Sequence, residues 1–265
     1  MMIKPVSYVK RLEGKSNTHL IKFDDGHEYA VKYFIPGFEK SLPNEWVAYC
    51  LARYLQLPIP HAQIIEMPSE FSNEIPDFIK SESRYQFASR YIPDCYNGHE
   101  VSQIKKIVNE QQLASIILFD YWLSNRDRTK KNILLKEAGH EAYYLWIIDH
   151  AECFGSYNWT GEQVEDLPVK ILKSATHRLM AQFVGGESDF YEALKVIQTI
   201  PNFLIEEIVS IIPDDWQVSA EEKKILSQYL IRRRKKMLPR SLKKFMAREF
   251  LPFLSAESNR GEGEG

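Results

Sequence analysis

Two hydrophobic rhythms divide this chain, and the point where one replaces the other limits what it can fold into. Apolar and polar residues alternate over Ser7 to Leu12, His19 to Phe23 and His27 to Phe34, the period of a half-buried strand. Asp25-Gly26 joins the second and third of these, and both residue types take positive φ at low cost, so a hairpin is predicted there. Alternation in the third strand sets Ala30, Lys32 and Phe34 on one face and Tyr29, Val31 and Tyr33 on the other, which leaves an ammonium among apolar neighbours. Ser41 is placed to cap a helix over Asn44 to Leu55 that ends before Pro58, and further strands are expected at Ala62 to Glu66 and Gln86 to Ile92. From about Cys95 the spacing turns helical. A polar helix is expected near Glu100 to Asn109, an almost wholly apolar one over Gln111 to Ser124, and others near Phe190 to Thr199, Phe203 to Ile212 and Ala220 to Met237. Short strands at Asn132 to Lys136 and Tyr143 to Ile148 interrupt them. This order predicts an α+β chain of two lobes: a small β-rich one over 1–93 carrying one helix, a larger, mainly helical one over 94–250, and a disordered polar tail over 251–265.

The 34 basic residues against 36 acidic ones leave a formal charge of −2, which argues against a chain coated by nucleic acid or membrane. With 44% hydrophobic residues a real core can form. Cys50, Cys95 and Cys153 are too few and too far apart for a disulfide framework or a zinc knuckle. No stretch of Met1 to Gly14 reads as a secretory signal, and the strongest apolar run, Leu113 to Leu123, is interrupted by Asp120 and too short to span a bilayer, so a cytoplasmic address is expected.

The chemistry concentrates between Asn125 and Asp149. Asp127 and Asn132 lie five positions apart on a loop between the apolar helix and a strand, where one carboxylate can meet a hydroxyl and one amide oxygen a metal. Asp149 ends the next strand, and such hard oxygen ligands suit Mg²⁺. In the first lobe, Lys32 needs a counter-charge if it faces an apolar cleft, and Glu45 on the following helix can supply it. Gly14-Lys15-Ser16-Asn17-Thr18 offers hydroxyls and backbone N–H groups to phosphates. Asp120 is expected to hydrogen-bond the backbone of the Asp127 loop, and His150 to be a packed or capping residue. Arg126, Arg128, Lys130 and Lys131 are candidates for stabilising charge on a transferred phosphoryl group, or else form a solvated loop. Arg232 to Arg248 carries nine basic residues and no acidic one; it can meet an anionic partner, although Leu238, Leu242, Phe245 and Met246 at helical spacing predict a core-docked helix with a basic outer face.

Jointly, Gly14 to Asn17, Tyr29-Ala30-Val31-Lys32, Asn44-Glu45 with Leu57-Pro58-Ile59-Pro60, Asn125-Arg126-Asp127-Arg128 with Asn132, Ile148-Asp149-His150 and Asp214-Asp215-Trp216 resemble the HipA-like kinases, relatives of phosphoinositide kinases and, more distantly, of protein kinases. The resemblance covers roughly Val6 to Leu238. It implies a two-lobed kinase fold that holds ATP and Mg²⁺ between the lobes and moves the γ-phosphoryl to a hydroxyl, first of all of protein Ser or Thr, with a small-molecule or inositol-lipid alcohol as the alternative acceptor. By the same resemblance Lys32 would hold the nucleotide phosphates, with Glu45 orienting it. Asp127 would accept the hydroxyl proton, Asn132 and Asp149 would hold metal, and Gly14, Lys15, Ser16 and Asn17 would cover the triphosphate. Ala30 and the backbone of Ser89, Arg90, Tyr91 and Ile92 would meet adenine. The chain departs from the family pattern in carrying Thr129 where relatives have His, His150-Ala151 where protein kinases have Phe-Gly, and a single glycine in the phosphate loop. A toxin role is not expected, because no further N-terminal subdomain precedes Val6. Outside the active-kinase reading stand a nucleotide-binding pseudokinase and a nucleic-acid-binding module built on the basic C-terminal segment.

Overall fold

In the computed structural model, residues 3–14, 17–76, 80–170, 172 and 174–255 are described. Strands β1 (Pro5–Arg11), β2 (His19–Phe23) and β3 (Glu28–Lys32) lead to helix α1 (Ser41–Tyr54), strand β4 (Ala62–Glu66), the single turn α2 (Ser69–Asn73) and strand β5 (Tyr85–Arg90). They form an antiparallel sheet in the order β1-β2-β3-β5-β4. The alternation in β3 is realised. Tyr29, Val31 and Tyr33 pack on one side of the sheet with Ile21, Phe23, Ile65 and Ala88, while Phe34 joins the large core that α1 shares with the rest of the molecule. Ser41 turns out to be the first helical residue and caps nothing; Lys40 precedes it, and Pro43 sits in the first turn where its missing N–H costs no bond.

Beyond Arg90 the chain enters β6 (Cys95–Asn97), β7 (Lys106–Ile107), α3 (Leu113–Leu123), β8 (Ile133–Gly139) and β9 (Ala142–Ile147). These strands make a second sheet, β6-β8-β9-β7. The helix expected near Glu100 to Asn109 is absent: the segment runs through turns into β7, whose parallel pairing with β9 and the bonds Lys105 N→Glu141 O (2.9 Å) and Val108 N→Tyr143 O (2.8 Å) capture its backbone. An open sheet edge thus outcompetes a weak helical spacing. Ser115 alone in α3 escapes burial, so this helix is the axis around which the second lobe packs.

Around it lie α4 (Gly161–Glu165), α5 (Ala175–Ala181), α6 (Glu187–Thr199), α7 (Asn202–Ser210), α8 (Ala220–Arg232) and α9 (Leu238–Phe245). Neither α4 nor α5 was expected. Their N-termini carry caps legible in hindsight, a Thr160/Gln163 capping box and Ser174 accepting from His177 N. Wider π turns at Arg233–Met237 and Met246–Phe250 join α8, α9 and the last turns into one continuous helix; of the tail expected over 251–265, residues 251–255 are helical and the remainder lies outside the described residues. Leu238, Leu242, Phe245 and Met246 are buried, as their spacing predicts. Two of the three consecutive arginines are buried as well. Arg233 Nε donates to Tyr121 O (3.1 Å) and Arg234 to Ile200 O and Asn202 Oδ1, so Arg232-Arg233-Arg234 does not form the exposed cationic triplet its sequence suggests. Among the described residues no helix is long and apolar enough to cross a membrane.

Candidate active site

Opposite walls of one crevice meet at Lys32. Its ammonium hydrogen-bonds Glu45 Oε1 on α1 and lies 2.8 Å from Asp149 Oδ1, 117 positions away in sequence at the end of the strand after the Asp127 loop. Lys32 is forced into this crevice because β3 alternates, and the same alternation puts Ala30 beside it, paired with Ser89 of β5. Burial opposes the lysine's charge, but Asp149 and Glu45 outweigh it and raise its pKa above the ordinary lysine value. Asp149 feels the converse: burial pushes its carboxyl up, Lys32 pulls it down further, and the balance is about 2. Burial raises the Glu45 carboxyl against the pull of Lys32. Asp149 takes a left-handed backbone (φ 56°), and this turn aims its carboxylate back at the lysine.

Asp127 and Asn132 are held as a pair. Asn132 Nδ2 donates to Asp127 O (2.5 Å) and Oδ2 (3.0 Å), so the amide oxygen Oδ1 and the carboxylate oxygen Asp127 Oδ1 keep no protein hydrogen bond among the described residues. The pair is tied to Asp149 through Ile148 N→Asn132 O (3.1 Å).

Arg128 accounts for this rigidity, and sequence reasoning misassigned it. Rather than facing a phosphoryl group, its guanidinium is buried. It donates to both Asp120 oxygens (Nε 2.8 Å, Nη2 3.1 Å) and to the carbonyls of Asn132 and Ile148 (2.7 Å each), and Nη2 reaches His150 Nε2 (2.9 Å). A guanidinium only donates, so Nε2 accepts and the His150 proton sits on Nδ1. Burial, and then the neighbouring Arg128, push this histidine down to about 3. Asp120 likewise serves side chains rather than loop backbone, accepting from Arg128, Asn125 Nδ2 (2.9 Å) and His177 Nε2 (2.9 Å). Burial works against its charge, but Arg128 and His177 prevail and hold its pKa well below the usual carboxylate range.

A second anchor was equally invisible in sequence. Asn44 is fully buried; its Nδ2 donates to the carbonyls of Ala151 (2.6 Å), Cys153 (3.0 Å) and Ser156 (3.0 Å), and its Oδ1 accepts from Trp159 Nε1 (2.8 Å). The residue before Glu45 therefore grips the segment after Asp149. Asp215, in the Asp-Asp-Trp motif, accepts from Ser83 Oγ (2.7 Å) and Arg84 N (2.9 Å), and Trp216 Nε1 donates to Tyr85 O (2.8 Å), so this motif latches the second lobe to β5 and lies outside the reacting groups.

The remaining expected contacts are partly assembled. Gly14 takes φ +140°, which a side chain rarely adopts, and Leu12 N→Thr18 O (2.8 Å) closes the loop. Lys15 and Ser16 lie outside the described residues. Asn17 is 1% exposed, and among the described residues neither atom of its amide has a hydrogen-bond partner. In the connector after β5, Arg90 points its guanidinium at His27, and the N–H groups of Arg90 and Tyr91 are taken by His61 O (2.7 Å) and Glu28 O (2.8 Å). Among the described residues the Ile92 N–H has no partner. A cavity of about 590 Å³ borders Arg90, Tyr91 and Ile92, but Lys32, Asp127 and Asp149 do not line it.

A family model described as HipA-like kinase matches residues 7–249. The chain belongs to the HipA-like kinase family. A solved structure of a proinflammatory kinase of Helicobacter pylori, CtkA, superposes with a TM-score of 0.61 at 16% identity, covering 91% of this chain and 95% of that one. The Golgi casein kinase, solved with Mn and ADP bound, gives a TM-score of 0.51 at 13% identity, covering 94% and 75% of the two chains. These likenesses extend the family assignment to the fold: this HipA-like kinase has the two-lobed kinase architecture. No curated protein sequence matches the chain.

Proposed function

We propose that this HipA-like kinase transfers the γ-phosphoryl of ATP to a hydroxyl of a protein Ser or Thr, in a cleft between lobes that divide near Pro93. One observation carries the reading: the Lys32 ammonium joins Glu45 of the first lobe to Asp149 of the second, beside the Asp127–Asn132 pair. Lys32 would exchange the Asp149 carboxylate for phosphate oxygens while Glu45 keeps it charged and aimed. Asp127 Oδ1 faces no protein donor and is the oxygen that would align the hydroxyl and take its proton. Positioning of this kind, rather than covalent chemistry, supplies most of the catalysis in phosphoryl transfer.

The donor set fits Mg²⁺. Asn132 Oδ1 and Asp149 offer hard oxygens, and among the described residues no group of three or more His, Cys, Asp or Glu forms a cage that would hold a metal without substrate. A bound Mg²⁺ would neutralise charge on the phosphate oxygens. Two groups that keep no partner among the described residues would serve the nucleotide: the buried Asn17 amide for phosphate and the Ile92 N–H for the adenine edge. Arg126, Lys130 and Lys131 remain near Asp127 for the spreading charge, with Arg128 excluded by its burial. A protein acceptor ranks ahead of a small alcohol by the resemblance to the HipA-like kinases; a small acceptor would instead call for a closed polar pocket around Asp127.

Incubation with labelled ATP and a cell extract tests the reading. Wild-type protein is expected to label a protein band in the presence of Mg²⁺, and Asp127→Asn to lose about 10²–10⁴-fold in rate while still binding nucleotide. Equal, zero transfer by both forms with ATP bound would make the chain a pseudokinase. A labelled small molecule would move the acceptor class.

A further inference from the structure

Arg240, Lys243, Lys244 and Arg248 recur at the spacing of one helix face, with Ala247 between them, and all are exposed. With Val169 from the segment that precedes α5 they line a groove of about 470 Å³, and Lys244 Nζ→Val169 O (3.1 Å) fixes its far wall. Like charges four apart on a helix repel, yet none of the four forms an ion pair among the described residues. The acid next along the helix, Glu249, is engaged by Arg178 (2.7 Å). In a chain of net charge −2 this is local segregation of charge, and it asks for an anion.

The groove is mechanically connected to the reacting groups. From Val169 the chain runs to Leu172, whose N–H bonds Tyr121 Oη (3.2 Å), and to Ser174, whose Oγ bonds Arg128 O (2.7 Å), the residue after Asp127. Five residues of chain span at most ~17 Å, so an extended acceptor with its hydroxyl at Asp127 could enter the groove within about eight positions of that hydroxyl. Single-stranded nucleic acid would look for aromatic platforms beside the cations; among the described residues that line this groove none is aromatic.

Resting on the phosphotransfer reading, we infer that this groove docks an acidic stretch of the acceptor protein close to its phosphorylated Ser or Thr. The test uses a fluorescein-labelled, glutamate-rich serine peptide and its glutamine counterpart, with fluorescence anisotropy for binding and labelled ATP for transfer. The full-length protein is expected to bind the glutamate peptide about tenfold more tightly than R240E/K243E does, with kcat/KM for that peptide falling by a similar factor through KM. Nucleotide binding serves as the folding control for the variant. Equal affinity of both proteins for the glutamate peptide, or of the wild type for the two peptides, overturns the inference. So does an oligouridylate that binds wild type but not R240E/K243E while the peptide binds neither. Anisotropy requires no turnover, so a wild type that docks the peptide yet phosphorylates nothing would sink the kinase reading alone. One that phosphorylates both peptides equally would sink the docking site alone.

Discussion

Asn17 is the residue whose surroundings ask most for a ligand. A buried amide with no partner among the described residues costs about 1–3 kcal/mol, and folding keeps it just before β2 regardless. Asn17→Ala is therefore expected to leave unfolding free energy unchanged or raise it by about 1 kcal/mol in a urea titration, while weakening ATP binding about tenfold by calorimetry; a loss of stability with unchanged ATP affinity would make the amide structural. That Lys32 meets Glu45 was legible in sequence because strand alternation turns the ammonium toward an apolar side where it needs a counter-charge, and the loop spacing already paired Asp127 with Asn132. Arg128 was not. It is one of four cations between Arg126 and Lys131, and a loop has no periodicity to tell the cation that turns inward from those that stay in water.

Helix α1 delivers Glu45, and Asn44 holds α1 in place. Asn44→Ala strands Trp159 Nε1 and the carbonyls that Nδ2 serves, so it is expected to cost about 3 kcal/mol in urea unfolding and to lower the transfer rate. Asn44→Asp keeps an acceptor for Trp159 but no donor for the carbonyls, and should rescue little of either. Elements with strong internal rhythm, the β2–β3 hairpin and α3, were readable from the chain. The segment over 100–109 was not, because the partner that decides its shape, the edge of β9, arrives some forty residues later. The π turn at Arg233–Met237 likewise has no local signal, since Arg233 and Arg234 within it are buried against carbonyls far away in sequence.

Across the whole molecule, the buried Asp120–Arg128 pair joins the axis of the second lobe to the backbone of Asn132 and of Ile148, the residue before Asp149. Removing one charge leaves the other buried alone, so Asp120→Asn is expected to cost about 3–5 kcal/mol. The folded-state pKa of Asp120 lies below its unfolded value. Its contribution is then fully present above about pH 4 and is lost as pH falls. Urea titrations from about pH 7 to pH 3 should show the gap between wild type and Asp120→Asn constant at first and narrowing at the acid end; a gap that widens would contradict the pairing. At the largest scale, both ends of the Asn44 carboxamide are engaged, the nitrogen with three carbonyls and the oxygen with Trp159 Nε1. Swinging helix α1 outward would surrender four hydrogen bonds in one movement, so the geometry that brings Glu45 to Lys32 is built in before any ligand arrives.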